Sequence, residues 1–512
     1  MIRRALISAY EKAGLDELGP GLAELGVELV ASDGTAAFLE GLGLEVTRVD
    51  ELTEVPELLG GRVKTLHPNI HAGILARHDH PDDLEALERR GIKPFDLVCV
   101  NLYPFTQIVG RYGVREEEAV EMIDIGGPSM LRGAAKNFAH VIPLCRRERF
   151  GEVLAALRSE EGVSFGLRRE LAAEAFSATA AYEAAIAAWF SDVEAFPDTF
   201  VPSFVKVADL PYGENPHQRA AYYAAAQARR HLLSRVEQLH GKEVSFNNLN
   251  DLSAARGLLL EFTLPACVIV KHANPCGVAV AATIEEAYEQ ALACDPLSAY
   301  GGVVVMNRPI AGDLGARIAE QFVEVLAAPG YDANALEALR AKPATRILVD
   351  RERRRFDPGE RDYKRVFGGL LVQDRDWRVE DRQGMEVMVG STDETVWGDL
   401  LFAWRVCKHV ASNAIVLVRD LRTLGIGAGQ MSRVDAVRLA IDKARAQGHS
   451  LEGASLASDA FFPFADGPQT ALDAGVTAII QPGGSKRDDE VVDAVRKTGA
   501  TMVFTHRRHF RH

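Results

Sequence analysis

Short apolar stretches alternate with helix-forming stretches along the first 150 residues of the chain. Residues 5–7, 28–31 and 97–102 have the length and the apolar content of buried strands. Residues 34–41 and 81–90 lie between them and have a helix-like composition. A repeated order of strand, loop and helix predicts an α/β fold with a mainly parallel sheet covered by helices. Because ligands of such folds bind at the carboxyl ends of strands, the residues after each strand are the first candidates for a site.

The chain divides near residue 200. An Ala-rich stretch, 164–190, carries apolar residues at helical spacing, and the segment after it contains Pro197 and Pro202. Proline ends regular structure and commonly marks a connection between domains. We therefore expect one domain over residues 1–198 and a second over residues 199–512.

The second half contains a weak internal repeat. Lys271-His272 follows the apolar stretch 267–270, and Lys408-His409 precedes the apolar stretch 414–418. Repetition of this kind is typical of a duplicated structural unit. We therefore expect two related lobes, at about 199–375 and 376–512.

Composition excludes several classes of protein. The chain has 512 residues, so about three domains are expected at ~150 residues each. A net charge of −14 argues against a dedicated nucleic-acid binder, which needs a basic excess to contact phosphates. Six cysteines without paired spacing suit a reducing compartment, and no apolar run approaches the ~18 residues of a membrane span. We expect a cytoplasmic protein with no membrane and no nucleic-acid partner.

A dense polar cluster follows Gly60-Gly61 and extends from Arg62 to His71. Exposed glycine amides beside Arg and Lys can hold phosphate or an oxyanion, although a capped structural turn explains the pattern equally well. His67 and His71 are spaced like metalloprotease zinc ligands, but that pattern needs Glu directly after the first His. Pro68 occupies that position, which argues against zinc.

Two further clusters lie where strands or helices are expected to end. Residues 124–129 place a Gly-Gly turn before a helix, which would present free N–H groups to an anion, or serve only as a helix cap. Lys271-His272 follows a strand, and His is the usual general base near neutral pH. Pro275-Cys276 matches half of a zinc-deaminase pattern, but position 279 is Ala where a second Cys is needed.

Two clusters occur near the end of the chain. Ser432-Arg433 starts a helix after a Gly-rich loop, which suits a carboxylate or a phosphate. Residues 458–467 combine three aromatic side chains with two carboxylates. These side chains either pack a loop or form an aromatic wall for a planar ring whose amines a carboxylate binds.

The order of the motifs is more specific than any one of them. They read GGRVKTLHP (60–68), NLYPF (101–105), DIGG (124–127), AAKN (134–137), YGENPHQ (212–218), KHANPCG (271–277), GIGAGQ (425–430) and SDAFFPF (458–464). Over essentially the whole chain this series resembles the family of bifunctional purine biosynthesis proteins. In that family, phosphoribosylaminoimidazolecarboxamide formyltransferase is fused to IMP cyclohydrolase.

The resemblance implies a fold and two reactions. The N-terminal domain would be a methylglyoxal-synthase-like parallel α/β domain, and the C-terminal part a pair of cytidine-deaminase-like α/β lobes without zinc. The first reaction transfers formyl from 10-formyltetrahydrofolate to the 5-amino group of the aminoimidazole carboxamide ribotide (AICAR). The second closes the formylated product (FAICAR) to IMP with loss of water. The reduced folate would be a cosubstrate rather than a tightly bound cofactor, and the protein a homodimer.

The resemblance also assigns roles to residues. For formyl transfer it implies the catalytic residues Lys271, His272 and Asn413. For ring closure it implies Lys64, Tyr103, Asp124 and Lys136. Residues that would bind substrate in the cyclohydrolase site are Ser8, Ser32, Gly34, Thr35, Arg62, Thr65, Asn101, Gly126 and Gly127. Those of the formyltransferase site are Tyr212, Asn215, Asn248, Arg433, Phe461, Asp466 and Arg508. A structural potassium ion, which some members carry, would lie near Asp459 and His512.

Two positions depart from the family's pattern. Pro211 stands where an Arg that contacts substrate phosphate is common, and Ala13 replaces a Thr whose hydroxyl helps to bind phosphate. Two alternatives to the bifunctional enzyme remain, a degenerate member that only binds a nucleotide and a zinc deaminase. The retained Lys64, Asp124 and Lys136 count against the first, and stoichiometric zinc in the protein would favour the second.

Overall fold

The protein is described from a computed structural model that covers residues 2–54, 59, 62–111, 113–191, 196–226, 231–351, 360–376, 378 and 381–512. The chain forms two compact units. Unit 1 comprises Met1–Val205 with Ala224–Arg229, and unit 2 comprises Lys206–Tyr223 with Arg230–His512. Among the described residues, no helix combines the length and the apolar character needed to cross a bilayer.

Unit 1 is built on a five-stranded sheet with the order β3-β2-β1-β4-β5, in which every neighbouring pair is parallel. Its strands are β1 (Arg4–Ala9), β2 (Glu28–Ala31), β3 (Val46–Arg48), β4 (Leu97–Asn101) and β5 (Ile142–Leu144). The strand interiors are buried on both faces, which explains why they read as continuous apolar runs. The predicted parallel α/β organisation of this region is confirmed.

Helices cover both faces of this sheet. They are α1 (Leu15–Glu24), α2 (Asp33–Gly41), α3 (Val49–Thr53), α4 (Pro68–Leu75), α5 (Pro81–Glu88), α6 (Phe105–Val109), α7 (Glu116–Glu121), α8 (Gly126–Lys136), α9 (Phe150–Arg158) and α10 (Phe165–Phe190). The Ala-rich stretch forms α10, which starts where the Ser164 hydroxyl accepts the N–H of Leu167. Leu171 and Ala175 of α10 are buried, so the helix lies against the sheet and α8.

Strands β6 (Phe204–Leu210) and β7 (Ala220–Ala225) form a two-stranded sheet in the segment where the chain passes from unit 1 to unit 2. Unit 2 contains β8 (Val236–His240), β9 (Ala266–Lys271), β10 (Asn274–Val280), β11 (Val303–Met306), β12 (Val325–Ala328), β13 (Arg346–Asp350), β14 (Arg361–Val366), β15 (Gly369–Asp374), β16 (Glu386–Val389), β17 (Ile415–Arg419), β18 (Arg422–Gly427), β19 (Ala454–Ser458), β20 (Val476–Gln481) and β21 (Thr501–Phe504). Its helices are α11 (Phe246–Leu259), α12 (Ile284–Cys294), α13 (Pro296–Ala299), α14 (Gly312–Ala319), α15 (Ala333–Arg340), α16 (Glu394–Cys407), α17 (Arg433–Ala446), α18 (Asp466–Asp473) and α19 (Asp488–Thr498).

Twelve of these strands form one mixed sheet with the order β16-β21-β20-β19-β17-β18-β10-β9-β11-β12-β13-β8. The order is the same when it is followed outward from the centre in either direction. A hairpin (β9-β10 or β17-β18) is followed by an antiparallel strand, two parallel strands and an antiparallel edge strand. The two halves meet where β10 pairs with β18.

The duplication corrects one detail of the sequence repeat. Lys271-His272 lies at the hairpin between β9 and β10, whereas Lys408-His409 follows the end of α16, before β17. The counterpart of the His272 hairpin is therefore the turn Asp420-Leu421 between β17 and β18. The two Lys-His pairs thus lie at non-equivalent positions of the two halves, although the duplication that they suggested is present.

Candidate active sites

Unit 1 contains a polar pocket of about 790 Å³. It opens where β1, β2 and β4 end, at Ser8, Ser32 and Asn101, and where α2 and α8 begin. This is the edge at which a parallel sheet is expected to bind its ligand. The predicted cyclohydrolase residues that line the pocket are Ser8, Ser32, Gly34, Thr35, Arg62, Lys64, Thr65, Asn101, Tyr103, Asp124, Gly126 and Gly127.

One end of this pocket is a cluster of hydroxyl groups at the start of α2. The Ser8 and Ser32 Oγ atoms lie 3.1 Å apart, and Ser32 Oγ lies 3.4 Å from Thr35 Oγ1. Lys12 Nζ donates to Thr35 Oγ1 at 3.2 Å. Hydroxyls, an ammonium group and the N–H groups of a helix start together form a site for a phosphate.

Lys12 is a pocket residue that the sequence reasoning missed. Burial lowers the pKa of its ammonium group below the ordinary value. Its Nζ lies beside the hydroxyl cluster, 3.2 Å from Thr35 Oγ1. The signal was present in the sequence, since Lys12 lies in the loop directly after the predicted strand 5–7.

At the other end of the pocket, two glycines at the start of α8 pack closely against polar side chains. A Cβ on Gly126 would lie 2.2 Å from Thr65 Oγ1, and one on Gly127 would lie 2.3 Å from Asp124 Oδ2. Gly127 N–H also donates to Asp124 Oδ1 at 2.8 Å. A Cβ at either position would displace the Thr65 hydroxyl or the Asp124 carboxylate, so the two glycines allow these groups to lie against the helix start.

Asp124 and Tyr103 have shifted acidities. Burial raises the pKa of the Asp124 carboxyl, although N–H groups of Gly127 and Tyr103 oppose the shift. Burial, followed by the nearby Asp124 charge, raises the pKa of the Tyr103 hydroxyl. The Tyr103 ring is partly exposed and packs on Tyr10, with ring centroids 5.2 Å apart. A raised carboxyl pKa and a protonated phenol make this pair suitable for proton transfer near neutral pH.

Two cations of the pocket, Lys64 and Arg62, have acidic partners in this structure. Lys64 Nζ contacts the Asp33 carboxylate, and the Arg62 guanidinium contacts Glu121 on the exposed rim. Burial lowers the pKa of the Lys64 ammonium group. A bound anionic substrate would compete with these carboxylates for the two cations.

Two predicted residues have a different environment from the one expected. The Asn101 amide holds the loop after β1, because its Oδ1 accepts the N–H of Tyr10 at 2.6 Å and its Nδ2 donates to the carbonyl of Glu11 at 2.7 Å. Lys136 is exposed at the last position of α8, about 15 Å along the helix axis from Gly126, and does not line the pocket. Gly60 and Gly61 lie outside the described residues.

A second pocket, of about 300 Å³, lies in unit 2 beside the β9-β10 hairpin. Lys271, His272 and Asn274 line it, together with Asp295 and Lys443. Lys443 Nζ and Asp295 Oδ2 form an ion pair at 2.6 Å, so one wall joins α17 to the end of α12. His272 is exposed at the turn, and Lys271 Nζ donates to the carbonyl of Tyr300.

A buried polar network lies next to this hairpin. The Asn274 side chain accepts the N–H of Ala411 at 2.8 Å, which ties the hairpin to the segment that carries Asn413. Arg433 donates to Asn413 Oδ1 at 2.7 Å and also contacts the Asp459 carboxylate. Asp459 is fully buried. Arg433 and Asn413 are thus fixed relative to the Lys271–His272 hairpin within one chain.

The remaining predicted formyltransferase residues do not line this pocket. Tyr212 and Asn215 lie on an exposed turn, Phe461 and Asp466 are exposed near the start of α18, and Arg508 stacks on the Phe510 ring at 4.5 Å.

Asn248 is buried, and its Oδ1 accepts the N–H of Ser245 in a capping box at the start of α11. His512 is exposed. Over the described part of the chain, no group of three or more His, Cys, Asp or Glu side chains is arranged to hold a metal ion.

The molecule is thus an α/β protein that carries a separate pocket in each of two units, as expected for an enzyme with two activities. Two family models match it. One, described as an AICARFT/IMPCHase bienzyme, matches residues 134–443, and the other, described as an MGS-like domain, matches residues 14–129.

Three relatives are similar over the full length, and each is named bifunctional purine biosynthesis protein PurH. The proteins of Magnetococcus marinus, Neisseria gonorrhoeae and Persephonella marina are 47%, 46% and 45% identical to this chain. The matches cover 100% of this chain and 99%, 100% and 100% of the relatives. The chain belongs to the AICARFT/IMPCHase bienzyme family.

Proposed function

We propose that the chain performs the last two steps of IMP synthesis, formyl transfer to AICAR and ring closure of FAICAR. Family membership over the whole length supports both activities. The observation that carries the assignment of sites is that the predicted cyclohydrolase residues, apart from Lys136, line one pocket of unit 1. They come from separate segments of the chain between Ser8 and Gly127, so this convergence is a property of the fold.

In ring closure, the hydroxyl cluster with Lys12 and the start of α2 would hold the ribotide phosphate. The carboxamide nitrogen of FAICAR attacks the formyl carbon of the same molecule, so holding the ligand in one conformation supplies much of the rate. Asp124 accepts the proton from the attacking nitrogen, and its raised pKa suits this role. Lys64 stabilises the oxyanion and Tyr103 donates to the departing hydroxyl, which leaves as water. Lys136 remains a predicted catalytic residue, with no contact to this pocket.

In formyl transfer, the 5-amino group of AICAR attacks the formyl carbon of 10-formyltetrahydrofolate. The neighbouring carboxamide makes this amine a weak nucleophile, so a base must take its proton. We assign that step to His272, and we assign stabilisation of the tetrahedral oxyanion and of the leaving folate nitrogen to Lys271. Asn413 orients the formyl group. The folate leaves as tetrahydrofolate and is a cosubstrate.

Further residues would bind the two substrates of this site. Phe461 and Asp466 would bind rings and amines, and Arg433 and Arg508 would bind the ribotide. Tyr212 and Asn215 remain predicted contacts from their exposed turn. Asn248 remains one as well, although its amide is used in the helix cap.

Four finer features are also proposed. The duplicated strand order of unit 2 supports a pair of cytidine-deaminase-like lobes within a domain over 199–512, after a cyclohydrolase domain over 1–198. An exposed apolar hairpin, β14-β15, with Phe367 at its tip and Leu371 beside it, supports a homodimer. Six free cysteines support a cytoplasmic location. A potassium ion near Asp459 would share a carboxylate that already contacts Arg433 and Ser412, and no step of the mechanism depends on the ion.

A pair of single substitutions tests the two sites separately. His272→Ala should abolish formyl transfer and leave cyclisation of supplied FAICAR intact, and Lys64→Ala should do the reverse. Both activities are measured on the same purified protein, with circular dichroism to verify folding. Loss of both activities in either folded variant would show that the assignment of the two sites is wrong.

A further inference from the structure

The hairpin that presents His272 has an unusual backbone. It joins β9 to β10 through two residues, His272 and Ala273, whose φ angles are 51° and 60°. Two-residue turns of this type are normally built from Asn and Gly, because side chains with a Cβ disfavour positive φ. Something outside the turn must therefore hold it in this conformation.

Asp251 on α11 supplies that restraint. Its Oδ1 accepts the N–H of Ala273 at 2.7 Å, and its carboxylate also accepts the N–H of His272. Asp251 is half-buried, and burial raises the pKa of its carboxyl while the two N–H groups and the charges of His272 and Lys271 oppose the shift. The carboxylate thus lies directly behind the turn and within electrostatic reach of both proposed catalytic side chains.

The second lobe repeats the arrangement without the catalytic pair. The turn Asp420-Leu421 has φ angles of 54° and 55°. Asp399 on α16 accepts the N–H of Asp420 at 3.0 Å and that of Leu421 at 2.8 Å. Asp251 and Asp399 are each the sixth residue of their helix. The helix-to-hairpin bond is therefore a property of the duplicated fold, and only the first lobe places it behind a Lys-His pair.

We propose that Asp251 is a positioning residue for formyl transfer, which holds the His272 turn so that the imidazole and the Lys271 ammonium group face the pocket beside the hairpin. The inference rests on the proposed function, since it requires His272 to act in formyl transfer. Asp251 contacts only the backbone of the turn, so it acts through the geometry of the turn and through its own negative charge. Its loss should reduce the rate of the chemical step more than substrate binding.

The test compares Asp251→Asn with Asp399→Asn. Asn keeps one acceptor oxygen but removes the charge and one of the two hydrogen bonds, and the two variants make the same change in equivalent turns. Asp251→Asn should lower kcat for formyl transfer by ~10- to 100-fold, with KM for AICAR changed less than about twofold. Asp399→Asn should keep the wild-type kcat and KM.

Cyclisation of FAICAR in unit 1 should be unchanged in both variants and serves as an internal control. If Asp251→Asn destabilises the protein, Ala273→Gly is added, because glycine adopts positive φ without strain. The folded double variant should still have a lower kcat for formyl transfer than Ala273→Gly alone, because the turn has lost one of its hydrogen bonds. Wild-type kcat in Asp251→Asn, or equal losses in Asp399→Asn, would overturn the inference.

The single variant His272→Ala separates this inference from the function on which it rests. Full activity of His272→Ala would refute the proposed role of His272. Loss of formyl transfer in His272→Ala together with wild-type kcat in Asp251→Asn would overturn the inference alone.

Discussion

Replacement of Gly127 by Ala should selectively inactivate the cyclohydrolase site. The added Cβ would lie 2.3 Å from Asp124 Oδ2 and 2.9 Å from its Cγ. Carbon contacts below 3.0 Å are not tolerated, so the carboxylate must move by at least ~0.7 Å. Gly127 lies inside a helix start and Asp124 in the turn before it, so the side chain is the part that can move.

The expected magnitude follows from this displacement. A shift approaching 1 Å of a reacting group can cost ~100-fold in rate, which equals about 2.7 kcal/mol of transition-state stabilisation. We therefore expect kcat/KM for cyclisation of FAICAR to fall by ~10- to 100-fold in Gly127→Ala. Formyl transfer should be unaffected. The assay follows IMP formation from supplied FAICAR, beside formyl transfer on the same preparation.

Gly41→Ala is the matched control. Gly41 ends α2 in the same unit, and a Cβ there would meet nothing within 4 Å. Its cyclisation rate should equal that of the wild type. Wild-type cyclisation by a folded Gly127→Ala protein would refute the argument that this glycine fixes the position of Asp124.

Two further predictions concern titratable groups. Lys408→Met should destabilise unit 2 by ~3–5 kcal/mol, because Lys408 Nζ lies 2.5 Å from the Glu261 carboxylate and both side chains are buried. Urea unfolding measures this loss of stability, and the addition of Glu261→Leu should restore much of it. A loss below ~1 kcal/mol would contradict the prediction. Cyclisation should slow as the pH falls through the raised pKa of Asp124, so its acid limb should lie above about pH 4, the ordinary range for Asp. The pH–rate profile of Asp124→Asn should lack this limb, and a limb that persists unchanged would show that another group titrates.

The charge network around Glu261 also joins the two lobes. Glu261 follows α11 and accepts from Lys408 and His409, which follow α16. Because α11 and α16 are counterparts in the duplicated fold, Glu261 and His409 occupy equivalent places and pair with each other. The Lys408-His409 pair, which repeats Lys271-His272 in the sequence, is therefore part of a buried ion-pair network. His409 is almost fully enclosed, and burial lowers the pKa of its imidazole despite the nearby Glu261 charge.

Local patterns in the sequence determined the α/β class and the parallel strands of unit 1, and the resemblance to the family supplied most residues of its pocket. This succeeded because strand and helix periodicity is a short-range property, and because parallel strands place their carboxyl ends at one edge. Ser8, Ser32 and Asn101 each lie at or next to the carboxyl end of a strand, which places them at a common edge of the sheet.

Tertiary structure decided the rest. Lys12 contacts Thr35 in the hydroxyl cluster at the start of α2. Lys136 lies at the far end of α8, and the Asn248 side chain caps α11. The sequence does not predict that Asp251 contacts the His272 turn, because the contact forms only when α11 packs beside the β9-β10 hairpin. Hydrogen bonds between residues distant in sequence depend on how elements pack, and a periodicity of two to four residues does not carry that information.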